Sequence, residues 1–167
     1  MINQVEDEYP KLFPLVQLMP GVERLLDHLS AHKVPIAIAS SSKLKWFEVK
    51  THKLGQKFRD YFHHILLAPE EPLVKNCKPA PDTFLVCMDR FADPKPTPAD
   101  CLVFEDAVSG VMAAVRAGMQ VVNIPDQRLD IKDIMNREED FRPTLVLNSM
   151  EEFRPEMFGL PALHEEK

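Results

Sequence analysis

A short apolar run that ends in two adjacent carboxylates is the feature that most constrains how this chain folds. Residues 101–104 have the length and composition of a buried parallel strand, and Glu105 and Asp106 follow directly. Apolar residues recur at helical spacing over 111–115, and Gly118 is placed to end that helix. A strand that leads straight into a helix predicts an open α/β sheet, in which sites form at the carboxyl ends of the strands.

The two carboxylates at this strand end have two interpretations. Neighbouring carboxylates repel each other, so holding both there is costly unless a cation lies between them. The alternative is that one carboxylate caps the following helix while the other points into solvent. The residues of this stretch do not distinguish the two.

Serines follow another predicted strand. Residues 34–39 form an apolar run, and Ser40, Ser41 and Ser42 come directly after it, before a helix predicted at 44–53. Hydroxyls and backbone N–H groups at such a position suit an oxyanion. Simple N-capping of the helix by a serine explains the same residues.

A lysine lies in a stiff loop before the next predicted helix. Residues 77–82 read C-K-P-A-P-D, so prolines at positions 79 and 81 follow Lys78 closely. Most loop lysines are simply solvated. A lysine fixed at the start of a helix is also suited to presenting one positive charge to a phosphate.

Strand and helix patterns alternate along the chain. The predicted strands are 34–39, 65–67, 101–104, 120–124 and 145–147. This alternation predicts a three-layer, doubly wound parallel sheet with a Rossmann-like core and helices on both faces. At 167 residues we expect one core domain at 20–160, with 1–19 as a remnant of a cap or linker and 161–167 as a frayed tail.

Charge and cysteine content narrow the classes of partner. A net charge of −6 argues against a general nucleic-acid binder. The three cysteines are odd in number and show no C-x-x-C spacing, so we expect neither disulfides nor a zinc site, and a cytoplasmic location. No apolar run approaches ~18 residues, so no membrane partner is expected.

The order of these motifs resembles that of the haloacid-dehalogenase-like (HAD) phosphatases. Residues 38–41 (I-A-S-S) resemble their second motif, residues 77–82 (C-K-P-A-P-D) the third, and residues 104–110 (F-E-D-A-V-S-G) the fourth. The resemblance runs from residue 18 almost to the C-terminus. In detail it is greatest to the pseudouridine-5′-phosphatase group.

The resemblance implies a role for each motif. Ser40 and Ser41 would bind the substrate phosphate, Lys78 would neutralise it, and Glu105 and Asp106 would hold Mg²⁺. Ser40, Lys78 and Asp106 would then form the catalytic set. The implied activity is Mg²⁺-dependent hydrolysis of a small phosphomonoester, such as pseudouridine 5′-phosphate, through an aspartyl-phosphate. The alternative is an inactive phosphate- and Mg²⁺-binding remnant or a regulatory interaction protein.

One family motif has no counterpart. The family's nucleophile is the first Asp of an Asp-x-Asp pair at the end of an N-terminal strand, and the 167 residues contain no such pair. We therefore expect a chain truncated at its N-terminus, lacking most of the cap and impaired or inactive alone. The missing strand would lie between 34–39 and 101–104. Its absence would leave two exposed edges and weak self-association of a monomer, or the two strands would pair directly.

Overall fold

Parallel strands flanked by helices account for the described part of the chain. The computed structural model describes residues 16–137 and 141–163, without the side chains of Asp133 and Arg137. Most of the predicted cap remnant at 1–19, and 164–167 of the predicted tail, lie outside these residues. The helices are α1 (Val22–Ala31), α2 (Leu44–Thr51), α3 (Gly55–Asp60), α4 (Asp82–Asp89), α5 (Val108–Arg116) and α6 (Ile131–Arg137). The strands are β1 (Ala37–Ser40), β2 (His64–Leu67), β3 (Leu102–Glu105), β4 (Gln120–Asn123) and β5 (Leu145–Val146).

Short 3₁₀ turns connect several of these elements. They lie at His52–Leu54, Ala68–Glu70, Pro98–Asp100, Met150–Glu152 and Pro155–Phe158. Every predicted strand is present, with ends displaced by a few residues. The helix predicted at 44–53 ends instead at Thr51, where a 3₁₀ turn takes over.

The strands form two parallel sheets. β1 pairs with β2, with Ala37 opposite His64. In the second sheet β4 lies between β3 and β5, and Leu102 of β3 is opposite Gln120 of β4. The predicted α/β class with parallel strands is therefore confirmed.

Direct pairing of the strands on either side of the expected gap is a wrong prediction for the described residues. β1 hydrogen-bonds β2 alone and β3 hydrogen-bonds β4 alone among residues 16–137 and 141–163. All four residues of β1 are only partly buried, whereas parallel strands are normally covered on both faces. The two sheets thus meet without a shared backbone ladder in the described part of the chain.

Two large apolar clusters cover the sheets, beside a smaller one between β2 and α4. The first packs α4 and α5 against the strands, and the second packs α1 and the C-terminal turns against them. Val121 belongs to the first cluster and Val122 to the second, so the clusters lie on opposite faces of β4. Ala39 of β1 packs against the first cluster, and Ile36, just before β1, packs against the second. Both sheets therefore share the same three layers.

Helix α1 begins at Val22, and Gly21 is its N-cap. Gly21 has a φ of +84°, and a Cβ there would lie 2.7 Å from the backbone nitrogen of Glu151. Glycine thus permits both the turn and the close approach of the C-terminal segment. His28 of α1 also donates from Nε2 to the Pro161 carbonyl at 2.8 Å, which holds the first residue of the predicted tail. No helix in the described ranges is long and apolar enough to cross a membrane.

Candidate functional site

Lys78 joins the carboxyl ends of the two sheets. Its ammonium donates to the Ala39 carbonyl of β1 at 3.1 Å and to the Glu105 carboxylate at the end of β3. The side chains of Lys78 and Glu105 are only 11% and 10% exposed. Two predicted site residues from distant parts of the sequence are therefore in direct contact.

The loop before α4 holds Lys78 in place. The Asp82 carboxylate accepts hydrogen bonds from the backbone N–H groups of Lys75 and Asn76, at 3.1 and 2.9 Å. Arg116 of α5 donates to the Pro79 carbonyl at 3.0 Å, just beyond Lys78. Together these contacts close the loop. The hydrogen bonds to the Asp82 carboxylate also lower its pKa, chiefly the one from the Asn76 backbone N–H.

An aromatic ring lies beneath the lysine. The Lys78 ammonium is 4.3 Å from the centroid of the Phe84 ring, a distance suited to a cation–π contact. Phe84 belongs to the first apolar cluster, so the ring has a fixed position in the core. Lys78 is therefore not the solvated loop lysine of the simpler interpretation.

The serine loop follows β1 as predicted. Ser40 is the last residue of β1, and its hydroxyl accepts a hydrogen bond from the Ser42 N–H at 3.1 Å. Ser41 is exposed. The N-cap of α2 is Lys43, which makes no side-chain capping bond, so N-capping by a serine is not what these residues do. Ser40 directly follows Ala39, which places it beside the Lys78 contact.

The two adjacent carboxylates lie in different environments. Glu105 is nearly buried, contacts Lys78, and accepts a long hydrogen bond from the Ala107 N–H at 3.4 Å. Asp106 is exposed. The N-cap of α5 is Ala107, without a side-chain capping bond. The cation that neutralises Glu105 among the described residues is thus the Lys78 ammonium.

The donors at this strand end match Mg²⁺ in chemistry but are few. Carboxylate oxygens are the ligands that Mg²⁺ prefers, completed by water and phosphate oxygens. Within the described ranges no group of three or more His, Cys, Asp or Glu side chains could hold a metal ion. Two carboxylates suit Mg²⁺ only as part of a shell that a phosphate and water complete.

Asn123 is a site neighbour that sequence reasoning did not single out. It is fully buried at the end of β4, opposite Glu105 in the ladder. Its side-chain amide donates to the Glu105 carbonyl at 2.9 Å, while its Oδ1 has no hydrogen-bond partner among the described residues. The signal that could have identified it is a polar residue directly after the apolar pair Val121-Val122, at the end of a strand.

A second polar cluster lies between β2 and α4. The Cys87 thiol is 3.3 Å from His64 Nε2, and burial raises the pKa of Cys87 to about 11. A thiol with such a pKa is almost fully protonated at neutral pH and is a poor nucleophile. All three cysteines are free.

The chain belongs to the haloacid dehalogenase-like hydrolase family, whose model matches residues 4–118, more than half of the sequence. The predicted resemblance is therefore confirmed. A Drosophila melanogaster protein named "probable pseudouridine-5′-phosphatase" is 50% identical over 87% of this chain and 60% of its own length. The Arabidopsis thaliana mitochondrial (DL)-glycerol-3-phosphatase 1 is 44% identical over 98% of this chain and 52% of its own length. The chain thus spans little more than half the length of these relatives.

Solved structures agree on the fold. A HAD-family hydrolase from Deinococcus radiodurans, with bound phosphate and sodium, superposes with a TM-score of 0.77 at 22% identity, over 97% of this chain and 69% of its own. A HAD hydrolase from Entamoeba histolytica gives a TM-score of 0.72 at 21% identity, over 94% of this chain and 67% of its own. At these identities the likeness concerns the fold.

Proposed function

We propose that this chain carries the phosphate-binding side of a phosphatase site that acts on a small phosphomonoester. The observation that carries the proposal is the buried Lys78 ammonium at the junction of the two sheets, beside Ser40 and Glu105. Phosphoryl transfer depends mainly on positioning and charge neutralisation, which is the chemistry these side chains offer.

The serine loop at 40–42 and Lys78 would each donate hydrogen bonds to the phosphate. The Ser40 hydroxyl is oriented by the Ser42 N–H and keeps its own O–H as a donor to a phosphate oxygen. Ser41 follows at the exposed edge of the same loop. Lys78 has three N–H donors and uses two of them on Ala39 and Glu105. The third can neutralise a phosphate oxygen.

Glu105 and Asp106 would hold Mg²⁺ beside this phosphate. When bound, the metal would neutralise charge on the transferred group and polarise its oxygens. Glu105 would do so while it remains the partner of Lys78. Asp106 would be the solvent-exposed ligand of the two.

The substrate class is inferred from the relatives. The named activities of the two relatives concern small phosphomonoesters, pseudouridine 5′-phosphate in one case and glycerol 3-phosphate in the other. We propose a substrate of this class, with pseudouridine 5′-phosphate as the first to test, and a cytoplasmic enzyme. Neither a nucleic-acid polymer nor a membrane is proposed as a partner.

The nucleophile decides between this function and the alternative. An aspartyl-phosphate mechanism needs an Asp at the end of a strand facing the phosphate, and the sequence contains no Asp-x-Asp pair. A second candidate for these 167 residues is therefore a unit that binds phosphate and Mg²⁺ without turnover of its own.

The decisive experiment measures phosphate release by the purified chain with and without Mg²⁺. Pseudouridine 5′-phosphate, glycerol 3-phosphate and several sugar phosphates are offered, with Asp106→Asn as the matched variant. Mg²⁺-dependent release that Asp106→Asn abolishes supports a phosphatase with another nucleophile. No release from a folded sample supports the binding protein.

Phosphate binding is measured separately by ³¹P NMR titration with inorganic phosphate. Lys78→Met should weaken binding at least tenfold, because it removes a charge-assisted hydrogen bond. Lys95→Met is the control, since Lys95 is an exposed lysine paired with Asp89. Equal binding by both variants would exclude Lys78 as the phosphate ligand.

A further inference from the structure

The Glu105 carboxylate lies against helix α5 at a position where a side chain would not fit. Gly110 is buried in the first turn of α5, and a Cβ added there would overlap the Glu105 carboxyl carbon and both of its oxygens. Gly110 is not among the glycines with a positive φ. Space, rather than backbone conformation, is therefore the reason for a glycine at this position.

The same carboxylate is the partner of Lys78. One oxygen of Glu105 accepts from the lysine, and the other accepts from the Ala107 N–H at the start of α5. Both contacts depend on the carboxylate lying in the space beside Gly110. A methyl group at position 110 would force the carboxylate to move, because both its oxygens occupy that volume.

We propose that Gly110 is a positioning residue that sets the place of Lys78 through Glu105. Gly110 touches neither a substrate nor a reacting atom. Its missing side chain lets the carboxylate fold back over α5, and the carboxylate in turn holds the ammonium at the junction of β1 and β3. The consequence for phosphate binding rests on the function proposed above.

The first test observes the Lys78 ammonium itself and requires no ligand. An ammonium held in a buried ion pair exchanges its protons slowly and gives a ¹H–¹⁵N signal, which is assigned by its loss in Lys78→Met. Gly110→Ala should abolish or shift this signal. Ser109→Ala, a change at the exposed neighbour on the same helix, should leave it unchanged.

A second-site change separates positioning from general damage to the fold. Glu105→Asp shortens the side chain by one methylene, which moves the carboxylate away from position 110. The double variant Gly110→Ala/Glu105→Asp should therefore regain the Lys78 signal that Gly110→Ala loses. If Gly110→Ala alone does not fold, the double variant should regain both the fold and the signal. An unchanged signal in Gly110→Ala, or no recovery in the double variant, overturns the proposal.

Inorganic phosphate provides the second readout. Gly110→Ala should weaken phosphate binding about tenfold, as loss of one well-placed hydrogen bond would, and the double variant should recover most of that loss. Wild-type affinity in Gly110→Ala would overturn the link from Gly110 to Lys78. If the wild-type chain binds no phosphate, the proposed function fails, and the ammonium signal still decides the role of Gly110.

Discussion

Two side chains of opposite charge lie nearly buried at the carboxyl ends of the strands. Lys78 and Glu105 are each about nine-tenths covered and contact each other. Burying two charges carries a desolvation cost that their attraction offsets only with good geometry and further hydrogen bonds. Here the Ala39 carbonyl supplies one such bond to Lys78 and the Ala107 N–H one to Glu105. A buried ion pair of this kind is weak evidence that the pair stabilises the fold. A role in binding a ligand explains it better.

Asn123→Leu should raise the free energy of unfolding by about 1 kcal/mol, as expected when an unsatisfied buried polar atom is removed. Asn123 is fully buried, and its Oδ1 has no partner among the described residues. The Glu105 carbonyl that would lose the Asn123 amide keeps a hydrogen bond from the Ile124 N–H at 2.9 Å. Urea unfolding of both proteins measures the change.

Thr83→Val is the matched comparison for this prediction. The Thr83 hydroxyl is also buried without a partner in the described ranges, and valine has nearly the same shape. It should leave stability unchanged or raise it slightly. A loss of more than about 1 kcal/mol in Asn123→Leu, with Thr83→Val neutral, would show that Asn123 Oδ1 is hydrogen-bonded after all.

At the scale of the elements, the loop from Lys75 to Asp82 holds Lys78 in a fixed position. Asp82 is both the first residue of α4 and the acceptor for the loop N–H groups. A carboxylate also suits the positive end of a helix. The loop and the helix therefore share one anchoring group.

Asp82→Asn should lower the midpoint of thermal unfolding by a few degrees and weaken phosphate binding several-fold, because neutral acceptors bond more weakly. Asp89→Asn, a change at the exposed last residue of the same helix, is the control. The pKa of Asp82 is lowered in the folded protein, so the stability that its carboxylate contributes is present above the unfolded pKa of 3.8. That stability is lost as the pH falls through the lower folded pKa. Equal effects of Asp82→Asn and Asp89→Asn would contradict the anchoring role.

The junction of β2 and α4 should make stability depend on pH. His64 Nε2 donates to the Cys87 carbonyl at 2.9 Å, and burial, with smaller effects from His63 and Arg90, lowers the pKa of His64 below 6.5. The unfolded chain then binds a proton more readily than the folded one, so stability is full above pH 6.5 and falls as the pH drops through the folded pKa.

Urea unfolding between pH 5 and 8 checks this dependence on His64. The wild-type protein should lose stability on the acid side, and His64→Gln should show a flatter profile. His52→Gln is the control, because His52 is an exposed histidine in another element, the 3₁₀ turn His52–Leu54. A His64→Gln profile as steep as that of the wild type would assign the pH dependence to another group.

Strand ends were predictable because apolar runs stop there, which is how Ser40 and Glu105 were found from the sequence. Lys78 was found from the prolines that follow it in a loop before a helix. Helix α3 was not predictable, since Gly55–Asp60 contains a single large apolar residue, Phe58, and therefore no periodic stripe. The pairing of Lys78 with Glu105 could not be predicted either, because it depends on how two distant loops meet. Gly110 was visible as part of a motif, but its reason lies in a three-dimensional contact.

At the scale of the whole molecule, helices hold two separate parallel sheets in one three-layer body. The apolar clusters include residues of both sheets, and the Lys78 side chain connects their carboxyl ends. The predicted exposed edges and weak self-association concern the sides of β1 and β3 that do not face β2 and β4. Unpaired edges invite pairing with other chains, so their state determines how this protein behaves in solution.

The hydrogen-bond pattern identifies the groups on that side of β3. Gln120 donates to the Cys101 carbonyl at 3.2 Å and Ile124 to the Glu105 carbonyl at 2.9 Å. Successive residues of a strand turn their backbone groups to alternate sides. The N–H groups of Leu102 and Phe104 therefore point away from β4.

The amides of Leu102 and Phe104 should exchange with solvent much faster than that of Val103, which faces β4. Amides outside a backbone ladder are protected only by burial, whereas ladder amides open with the sheet. Hydrogen-exchange NMR at low protein concentration measures the three rates in one sample. Faster exchange at Leu102 and Phe104 that slows as concentration rises would mean that copies of the chain associate through this edge. Uniformly slow exchange at the lowest concentration would mean that the edge is already paired within one molecule, and the prediction of an exposed edge would be wrong.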